Sequence, residues 1–492
     1  MVDEDGTYAN IANHTFTIAN VAPTITVTGD AGGDEGASVT LNLGAIDDPG
    51  SDTVVDWIVA WGDGNTETFN AGGDVTHIYD DNGDFTITVS LVDEDGTFAD
   101  VASQSVTVDN VTPTASISGP AGGVPNSLLD FELRAADVSN ADQTAGFTFL
   151  INWGDGSLET VGPAAASPLA LSHAYGNLGS FVVTLTATDK DGGVSGVASH
   201  SLEIVPVAKI GNDVFIGGID GQSNRIIVQS AGPDEVFVRY NNRRFGGFDV
   251  TPSSVVSIIG GDGIDRISIT NCIETEIHAG VGNDVISGGS CNDIIFGDAG
   301  RDTILAGEGD NIVEGGAGND LIQTRSGDDV IRGGTGNDVI SGGAGSDELY
   351  GDEGNDRVTG GGGDDLLSGG TGNDILVGGR GHDLLVGGLG SDLLRGSNGD
   401  DLLIGGDGRD RMFGERGRDI LAAGEAANEN DEVALQTALL NWAISRIHSS
   451  LGQLSSDAER DALNGGGGLD ELFVGAEDIV SNRGSQDSVS VV

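Results

Sequence analysis

An acidic residue returns every nine positions from Asp284 to Asp419, and this register restricts the possible fold more than any other feature of the chain. Fifteen of its sixteen positions are aspartate, and the exception is Asn311. Glycine lies two positions before fifteen of them, and Ile, Leu, Val or Met lies two positions after all sixteen. The clearest unit, residues 333–341, reads Gly-Gly-x-Gly-Asn-Asp-apolar-apolar-x. Three linked periodicities of this length indicate a repeated structural unit.

The composition of the unit predicts its local structure. Its Gly, Asn and Asp residues favour turns, because glycine accepts positive φ and lets backbone carbonyls approach each other. Its last three residues predict a short strand whose central side chain points inward and whose flanking side chains point outward. A turn and a strand make half a coil, so two units predict one 18-residue coil of a parallel β-solenoid with an apolar core.

Stacked coils bring the carboxylates of alternate units together. Aspartates on one edge would lie about 4.8 Å apart, and each neighbouring pair would repel by about 3 kcal/mol at an effective dielectric constant near 20. A solenoid without metal is therefore the less favourable alternative. Carboxylates and backbone carbonyls form an all-oxygen ligand set that suits Ca²⁺. The candidate metal ligands are Asp284, Asp293, Asp302, Asp320, Asp329, Asp338, Asp347, Asp356, Asp365, Asp374, Asp383, Asp392, Asp401, Asp410 and Asp419.

The repeat resembles the RTX (hemolysin-type) nonapeptide repeat, Gly-Gly-x-Gly-x-Asp-x-apolar-x, over residues 260–422. The resemblance implies a parallel β-roll in which aspartate carboxylates and glycine-loop carbonyls of neighbouring turns share calcium ions. Eight loops on each edge leave seven gaps, which predicts about fourteen ions. They would offset about half of the formal charge of −57. We expect this part of the chain to stay unfolded without calcium.

Two further sequences repeat at an offset of about 90 residues and define tandem modules at residues 21–110 and 111–206, after a remnant at 1–20. Alternating Thr, Val and Ile residues between acidic glycine turns predict β-sandwiches. Residues 2–24 match residues 92–114, so the chain is expected to begin inside a module. It would then be the C-terminal part of a longer protein whose export signal is missing.

Both modules carry Trp-Gly-Asp-Gly, starting at Trp61 and Trp153, and His-x-Tyr, starting at His77 and His173. These motifs resemble those of the PKD domain, an immunoglobulin-like sandwich that serves as a spacer or binding module in extracellular proteins. We expect the tryptophans and histidines to be core residues and not a ligand platform.

The complete prediction is an all-β chain with tandem immunoglobulin-like (PKD) sandwiches, followed by a parallel β-roll and a short C-terminal helical cap. Residues 207–280 are expected to form an irregular solenoid transition, residues 281–422 the calcium-binding roll, and residues 423–492 the helix and cap. Helical spacing is carried by Leu440, Ile444, Ile447, Leu451 and Leu454. A last unit at residues 466–473 suggests that the chain then returns to the solenoid.

The outer face of the roll leaves two interpretations open. The residue after each register position should point outward, yet it is apolar in twelve of sixteen units, including Leu384, Leu393 and Leu402. It can reflect β-propensity on short strands, which tolerate exposed Val and Ile. Alternatively, it is a flat apolar face that docks another module or a second chain.

The two cysteines, Cys272 and Cys291, lie 19 residues apart, close to the length of one coil. If Glu274 is the intervening register position, both fill glycine positions on one edge, about 4.8 Å apart, where a disulfide can form. If Ile277 and not Glu276 faces inward, the positions shift by one residue. Two small buried thiols are then the alternative.

Composition and motifs limit the function. The chain has 78 acidic and 21 basic residues, which excludes nucleic acid and anionic membrane surfaces as electrostatic partners. It has no 18-residue apolar run that predicts a membrane span. No His-Glu-x-x-His or Gly-x-Ser-x-Gly motif occurs, and His382 is expected to be a plain exposed side chain. We therefore predict no enzyme activity in this chain.

The predicted function is that of an extracellular calcium-binding protein, secreted or on the cell surface, with a structural or adhesive role. Its partners would be several calcium ions and, through the PKD modules, cell-surface or matrix components. The alternative is the C-terminal export-and-folding region of a secreted enzyme or RTX toxin whose active domain lies upstream of Met1.

Overall fold

The computed structural model describes residues 21–48, 53–164, 168–232, 234–251 and 253–423, and short strands near both termini. Two compact units are distinguished: residues 1–119, 130–171 and 182–201 form the first, and residues 120–129, 172–181 and 202–492 form the second. Almost all regular structure is β, as the sequence predicts. A two-stranded pairing of Val2–Asp3 with Gly6–Thr7 opens the chain.

The first sandwich consists of two sheets around an apolar core. The first sheet contains Thr24–Gly29, Ser38–Asp47 and Gly73–Ile78. The second sheet contains, in spatial order, Gly32–Asp34, Gly96–Asp109, Gly83–Asp93, Asp56–Ala60 and Thr66–Phe69. Inward alternation along these strands buries Trp57, Trp61, Tyr79 and Leu91 in one cluster.

The second sandwich repeats this arrangement. Its sheets contain Thr114–Ser118, Leu128–Ala136 and Leu169–Ala174 in one case, and Gly122–Gly123, Ala198–Ile204, Gly179–Thr188, Phe147–Asn152 and Leu158–Ala164 in the other. A short helix, Asn140–Ala145, follows Ser139, whose hydroxyl accepts a hydrogen bond from the backbone N–H of Asp142. Two immunoglobulin-like sandwiches are thus confirmed.

The rest of the chain winds into a solenoid with two long sheets. Sheet A contains Val207–Ile210, Asp213–Gly217, Val256–Ile259, Thr275–His278, Asp293–Phe296, Ile312–Ala317, Val330–Thr335, Glu348–Glu353, Leu366–Thr371, Leu384–Leu389, Leu402–Asp407, Ile420–Ala422, Glu471–Val474 and Ser488–Val491. Sheet B contains Arg243–Asp249, Glu235–Tyr240, Arg225–Gly232, Arg266–Thr270, Val285–Ser287, Thr303–Glu308, Leu321–Ser326, Val339–Ala344, Arg357–Gly362, Ile375–Arg380, Leu393–Asn398, Arg411–Gly417, Ala462–Asn464 and Ile479–Ser481, and Gly467–Gly468 pairs with it.

Parallel pairing in the repeats follows the predicted 18-residue coil, as in Ile340 opposite Val358. The residue two positions after every register position faces inward and is at most 1% exposed, so this part of the prediction is confirmed. The strands are longer than the three residues expected. Val339–Ala344 is typical and includes the glycine pair, because pairing between coils continues at Gly343 opposite Gly361.

The N-terminal coils correct one register assignment. Thr275, and not Glu274, lies opposite Asp293, and Ile277 is fully buried. The extra residue is accommodated near Asn271, which has φ of 72°. Cys272 and Cys291 nevertheless form the expected disulfide, with their Cα atoms 4.7 Å apart. A shift of one residue therefore does not separate the two cysteines.

The outer faces of the two sheets differ. On sheet A, Leu384 and Leu402 are at most 1% exposed and belong to a second apolar cluster with Leu366 and Ile404. On sheet B, the equivalent residue Leu393 is only half-buried. The expectation of an outward-facing apolar row is therefore wrong for the C-terminal coils of sheet A, whereas Ile294 and Ile312 of the same sheet are exposed.

The structure tests one of the two predictions for the C-terminal part of the chain. The predicted helical stripe, from Leu440 to Leu454, lies outside the described residues. The predicted return to the solenoid is present, because Glu471–Val474 pairs in parallel with Ile420–Ala422. In the described part of the chain, no helix combines the length and the apolar character that a membrane crossing requires.

Candidate metal centres

The register positions divide between the two edges of the solenoid. Edge A consists of the turns that lead into sheet A, and edge B of the turns that lead into sheet B. Edge A contains Thr275, Asp293, Asn311, Asp329, Asp347, Asp365, Asp383, Asp401 and Asp419. Edge B contains Asp265, Asp284, Asp302, Asp320, Asp338, Asp356, Asp374, Asp392 and Asp410. All predicted site residues are thus stacked in two rows.

One carboxylate oxygen of each register aspartate belongs to a ladder of hydrogen bonds. The Oδ1 atom of Asp338 accepts a hydrogen bond of 2.7 Å from the backbone N–H of Asp320, one coil earlier. The backbone N–H of Asp338 in turn donates to Oδ1 of Asp356 at 2.8 Å. The ladder fixes each side chain inside its turn, so that no register aspartate is more than 2% exposed.

The second oxygen, Oδ2, is buried without a hydrogen-bond partner at most of these positions. It is unpartnered in Asp284, Asp302, Asp320, Asp338, Asp347, Asp356, Asp365, Asp374, Asp383, Asp392 and Asp401. Burial of an ionised oxygen without a partner is costly. Because these atoms have no protein partner, such a row favours a bound cation.

Glycine positions leave space beside each Oδ2 atom. A Cβ built on Gly333 would lie 2.6 Å from Oδ2 of Asp338 and 2.7 Å from the carbonyl oxygen of Gly351 in the next coil. A carboxylate and a carbonyl oxygen thus converge on a space that any larger residue would fill. Among the described residues, clusters of three carboxylates with ligand atoms within 4.8 Å of one another do not occur in the solenoid. Its sites therefore need carbonyl ligands as well as carboxylates.

Burial raises the pKa of the register aspartates above the ordinary value of 3.8. The pKa is raised to about 7 for Asp338 and to about 6 for Asp356, in both cases by burial first and by neighbouring carboxylates second. On edge A, the pKa of Asp365 and Asp401 is raised to about 8 by the same causes. Without a cation, burial makes these groups easier to protonate in the folded protein than in the unfolded chain.

A second ladder precedes the register positions and was not predicted. Oδ1 of Asn337 accepts a hydrogen bond of 2.9 Å from the backbone N–H of Asn355, one coil later. His382 takes part in the same way, since its Nδ1 accepts a hydrogen bond of 3.0 Å from the backbone N–H of Asp400. It is half-buried, so the expectation of a plain exposed side chain is wrong. The recurrence of Asn or Asp at this position was the available signal.

Two positions on edge A depart from the pattern. The Nδ2 group of Asn311 donates to the Gly309 carbonyl at 2.8 Å and to Oδ1 of Asp329 at 2.9 Å. Thr324 stands where other units have glycine, and its hydroxyl donates to the Gly342 carbonyl. Both side chains place donor groups among the buried oxygens, so a cation would fit edge A less well at these coils.

The motifs that the two sandwiches share form core contacts, as predicted. Trp61 and Trp153 are at most 1% exposed. The ring of His77 stacks on Trp61 with centroids 4.8 Å apart, and its Nε2 lies 2.7 Å from Oδ2 of Asp63. The Tyr79 hydroxyl donates to the Trp61 carbonyl at 2.8 Å. These residues connect strands and leave no aromatic platform for a ligand.

Comparison with known families agrees with this geometry. Residues 276–304, 292–322, 305–340, 323–358, 350–385, 359–394 and 386–421 match the RTX calcium-binding nonapeptide repeat. Residues 20–108 match the PKD domain. No curated protein matches the chain in sequence.

Solved structures show partial similarity to the chain. The PKD domain of an M14-like peptidase from a Thermoplasmatales archaeon is 25% identical, with coverage of 20% of this chain and 98% of that one, at a TM-score of 0.18. The fibronectin(III)-like modules of Clostridium thermocellum CbhA are 17% identical, with coverage of 36% and 94%, at a TM-score of 0.17.

RTX repeats are calcium-binding, and the oxygen-only ligand set at both edges suits this ion. The repeats and the immunoglobulin-like sandwiches make up a structural region of a type common in extracellular proteins. The chain thus combines a PKD domain with a β-solenoid of RTX calcium-binding nonapeptide repeats.

Proposed function

We propose that the chain is a structural or adhesive region of a secreted or cell-surface protein, and that calcium drives its folding outside the cell. The fifteen register aspartates from Asp284 to Asp419 would be the calcium ligands. The observation that supports this most directly is the row of buried, unpartnered Oδ2 atoms that face glycine carbonyls.

Each ion would join consecutive coils. In the unit around Asp338, the carboxylate comes from one coil and the Gly351 carbonyl from the next. A divalent cation there would neutralise carboxylates that burial otherwise favours in the protonated form. Calcium binding and folding would therefore be coupled, because the stacked coils create the ligand set.

This coupling would suit export. Extracellular calcium sites typically have dissociation constants of about 10⁻⁴ to 10⁻³ M, far above the calcium concentration of a cytosol. The solenoid would stay unfolded before export and would fold on reaching millimolar calcium. The PKD-like sandwiches would then act as spacers or bind cell-surface or matrix components.

Circular dichroism and calorimetry test the proposal on the full chain. In EDTA, we expect the β signal to fall to the contribution of the sandwiches, and titration with calcium should restore it at about 10⁻⁴ to 10⁻³ M. Calorimetry should record multiple bound ions over the same range. A β signal that is equal in EDTA and in calcium, together with no bound metal, would contradict the proposal.

A further inference from the structure

Outside the solenoid, acidic side chains converge where the two sandwiches meet. Glu35, in the turn between Gly32–Asp34 and Ser38–Asp47 of the first sandwich, lies close to Asp137 and Asp142 of the second. One carboxylate oxygen of each residue lies within 4.8 Å of the others. All three residues belong to the first compact unit.

Two of these carboxylates are buried and incompletely partnered. Glu35 is 1% exposed, and its Oε1 accepts a hydrogen bond of 2.8 Å from the backbone N–H of Val111, at the start of the second module. Its Oε2 atom has no hydrogen-bond partner. Asp142 is fully buried, and its carboxylate oxygens have no hydrogen-bond partner of normal geometry. Burial raises the pKa of Asp142, although the Ser139 hydroxyl is close enough to lower it in part. Each buried carboxylate therefore presents an unsatisfied oxygen to the same small space.

A neighbouring cluster shows how the protein deals with such charge elsewhere. Asp81 and Asp191 form a second acidic group with Asp142. Here the ammonium group of Lys190 lies 2.6 Å from Oδ1 of Asp81 and also contacts Asp191. It is 3.6 Å from Oδ1 of Asp142. Asp142 thus has a cation on one side, whereas the side that faces Glu35 and Asp137 has carboxylates only.

Electrostatics then favours a metal ion on the second side. Two carboxylates about 4.8 Å apart repel by about 3 kcal/mol at an effective dielectric constant of 20. Burial raises the pKa of Glu35, and the Asp142 and Asp137 carboxylates raise it further. An oxygen-only group with two or three negative charges selects a hard divalent cation.

We propose that Glu35, Asp137 and Asp142 bind a calcium ion that joins the two sandwiches. This site is independent of the nonapeptide repeats. Its neighbours already hold the junction in register, since the side chain of Asn140 donates to Oδ1 of Asp80 at 2.8 Å. An ion would add a link that depends on calcium, so that the tandem would stiffen on entering a calcium-rich medium.

Hydrogen–deuterium exchange of the full chain tests this site, because it reads the junction and the solenoid separately. In about 5 mM calcium, amides at residues 33–37 and 137–145 should exchange about tenfold more slowly than in EDTA. Glu35→Gln keeps an oxygen for the Val111 N–H but removes the charge, and it should abolish this slowing. Asp142→Asn should do the same. The control Glu132→Gln, which removes one charge from a half-buried strand position that pairs with Arg134, should retain it.

The EDTA arm distinguishes a metal ligand from a structural residue. A merely structural role for Glu35 predicts faster exchange of the Gln variant in both media. A ligand role predicts exchange in EDTA that is equal to or slower than that of the wild type, because charge repulsion is relieved. The proposal is overturned if calcium leaves the wild-type junction unchanged or if Glu35→Gln keeps the slowing. Residues 320–374 report solenoid folding in the same spectra, so failure of one calcium site is distinguishable from failure of the other.

Discussion

Edge A and edge B are built from the same nine-residue unit, yet they carry charge differently. Edge B has aspartate at all nine register positions, whereas edge A has Thr275 and Asn311 at two of them. The preceding position is mostly asparagine on edge B, as at Asn337, but on edge A it is often a second carboxylate, as at Asp364 and Asp400. Edge A thus has fewer ligands at its N-terminal end and more surplus charge at its C-terminal end.

The two edges also differ in the hydrogen-bond lengths and in the pKa values of their register aspartates. Ladder hydrogen bonds to Oδ1 measure 2.7–2.8 Å on edge B. On edge A they measure 2.8–3.0 Å. The pKa of Asp365 and Asp401 rises through burial and through carboxylates that include Asp364 and Asp400. The carboxylates of the second ladder, which are not proposed as ligands, therefore add to the repulsion that raises the pKa of the register aspartates beside them.

The largest expected effect is the response of the metal-free solenoid to pH. A carboxylate whose folded pKa exceeds its unfolded value of 3.8 contributes full stability below that value and loses it as pH rises through the folded pKa. Edge B should lose stability mainly between pH 4 and 7, since the pKa values of Asp338 and Asp356 are about 7 and about 6. Edge A should continue to lose it up to pH 8, because Asp365 and Asp401 have pKa values of about 8.

The β signal of the solenoid in EDTA, followed by circular dichroism from pH 4 to pH 9, measures this response: it should be present at the acidic end and lost as pH rises. In saturating calcium the trend should reverse, because calcium binds the deprotonated carboxylates. Stability that rises with pH in EDTA would contradict the sign of the pKa shifts.

The second prediction compares single carboxylates on the two edges. Asp338→Ala removes a ligand from the middle of the uninterrupted edge B, with an unpartnered Oδ2 beside the Gly351 carbonyl. Asp329→Ala removes one from edge A, where Asn311 already donates to its Oδ1. We expect Asp338→Ala to lower the calcium-saturated stability by about 3 kcal/mol and Asp329→Ala by clearly less. Asp419→Ala, at the end of the array, should also cost less.

Calcium titrations of the three variants, read by circular dichroism, give the order. Equal losses for Asp338→Ala and Asp329→Ala would mean that the amide of Asn311 does not weaken its edge.

The sequence predicts the 18-residue coil, but it does not predict the local differences between edge A and edge B. The nine-residue period alone fixes the inward residues and the stacking of carboxylates, because a parallel coil permits one register. It does not locate the extra residue between Asp265 and Asp284, since several turns can absorb it and only the positive φ of Asn271 decides where. For that reason the sequence pattern favours Glu274 at the register position, which Thr275 occupies in the structure.

Two other features could not be predicted from the repeat pattern, and each has a physical reason. The second ladder depends on the direction in which Asn337 and its equivalents point, and residue type does not determine that direction. The burial of Leu384 depends on packing with residues of other repeats, such as Leu366 and Leu402. The same pattern therefore gives a buried leucine on sheet A and a half-buried one, Leu393, on sheet B.

This difference between the faces supplies the third prediction. Leu384→Thr introduces a hydroxyl into a fully buried site and removes apolar contacts, so it should destabilise the calcium-loaded protein by about 2 to 3 kcal/mol. Leu393→Thr, with the same chemistry on sheet B, should cost less than about 1 kcal/mol. Denaturant unfolding in calcium measures both free energies. A loss at Leu393 as large as that at Leu384 would show that both faces are covered.

The smallest expected effect is a gain at the gap in edge A. Asn311→Asp replaces an amide that donates to the Gly309 carbonyl with a carboxylate at the same register position, flanked by Asp293 and Asp329. We expect the variant to bind one more calcium ion per chain and to gain about 1 kcal/mol of stability in calcium. Asn319→Asp is the matched control: it makes the same chemical change at an exposed position before the register, and its ion count should equal that of the wild type. Equilibrium dialysis with metal analysis counts the ions. An unchanged count for Asn311→Asp would mean that the turn geometry at this coil, and not the amide, excludes calcium.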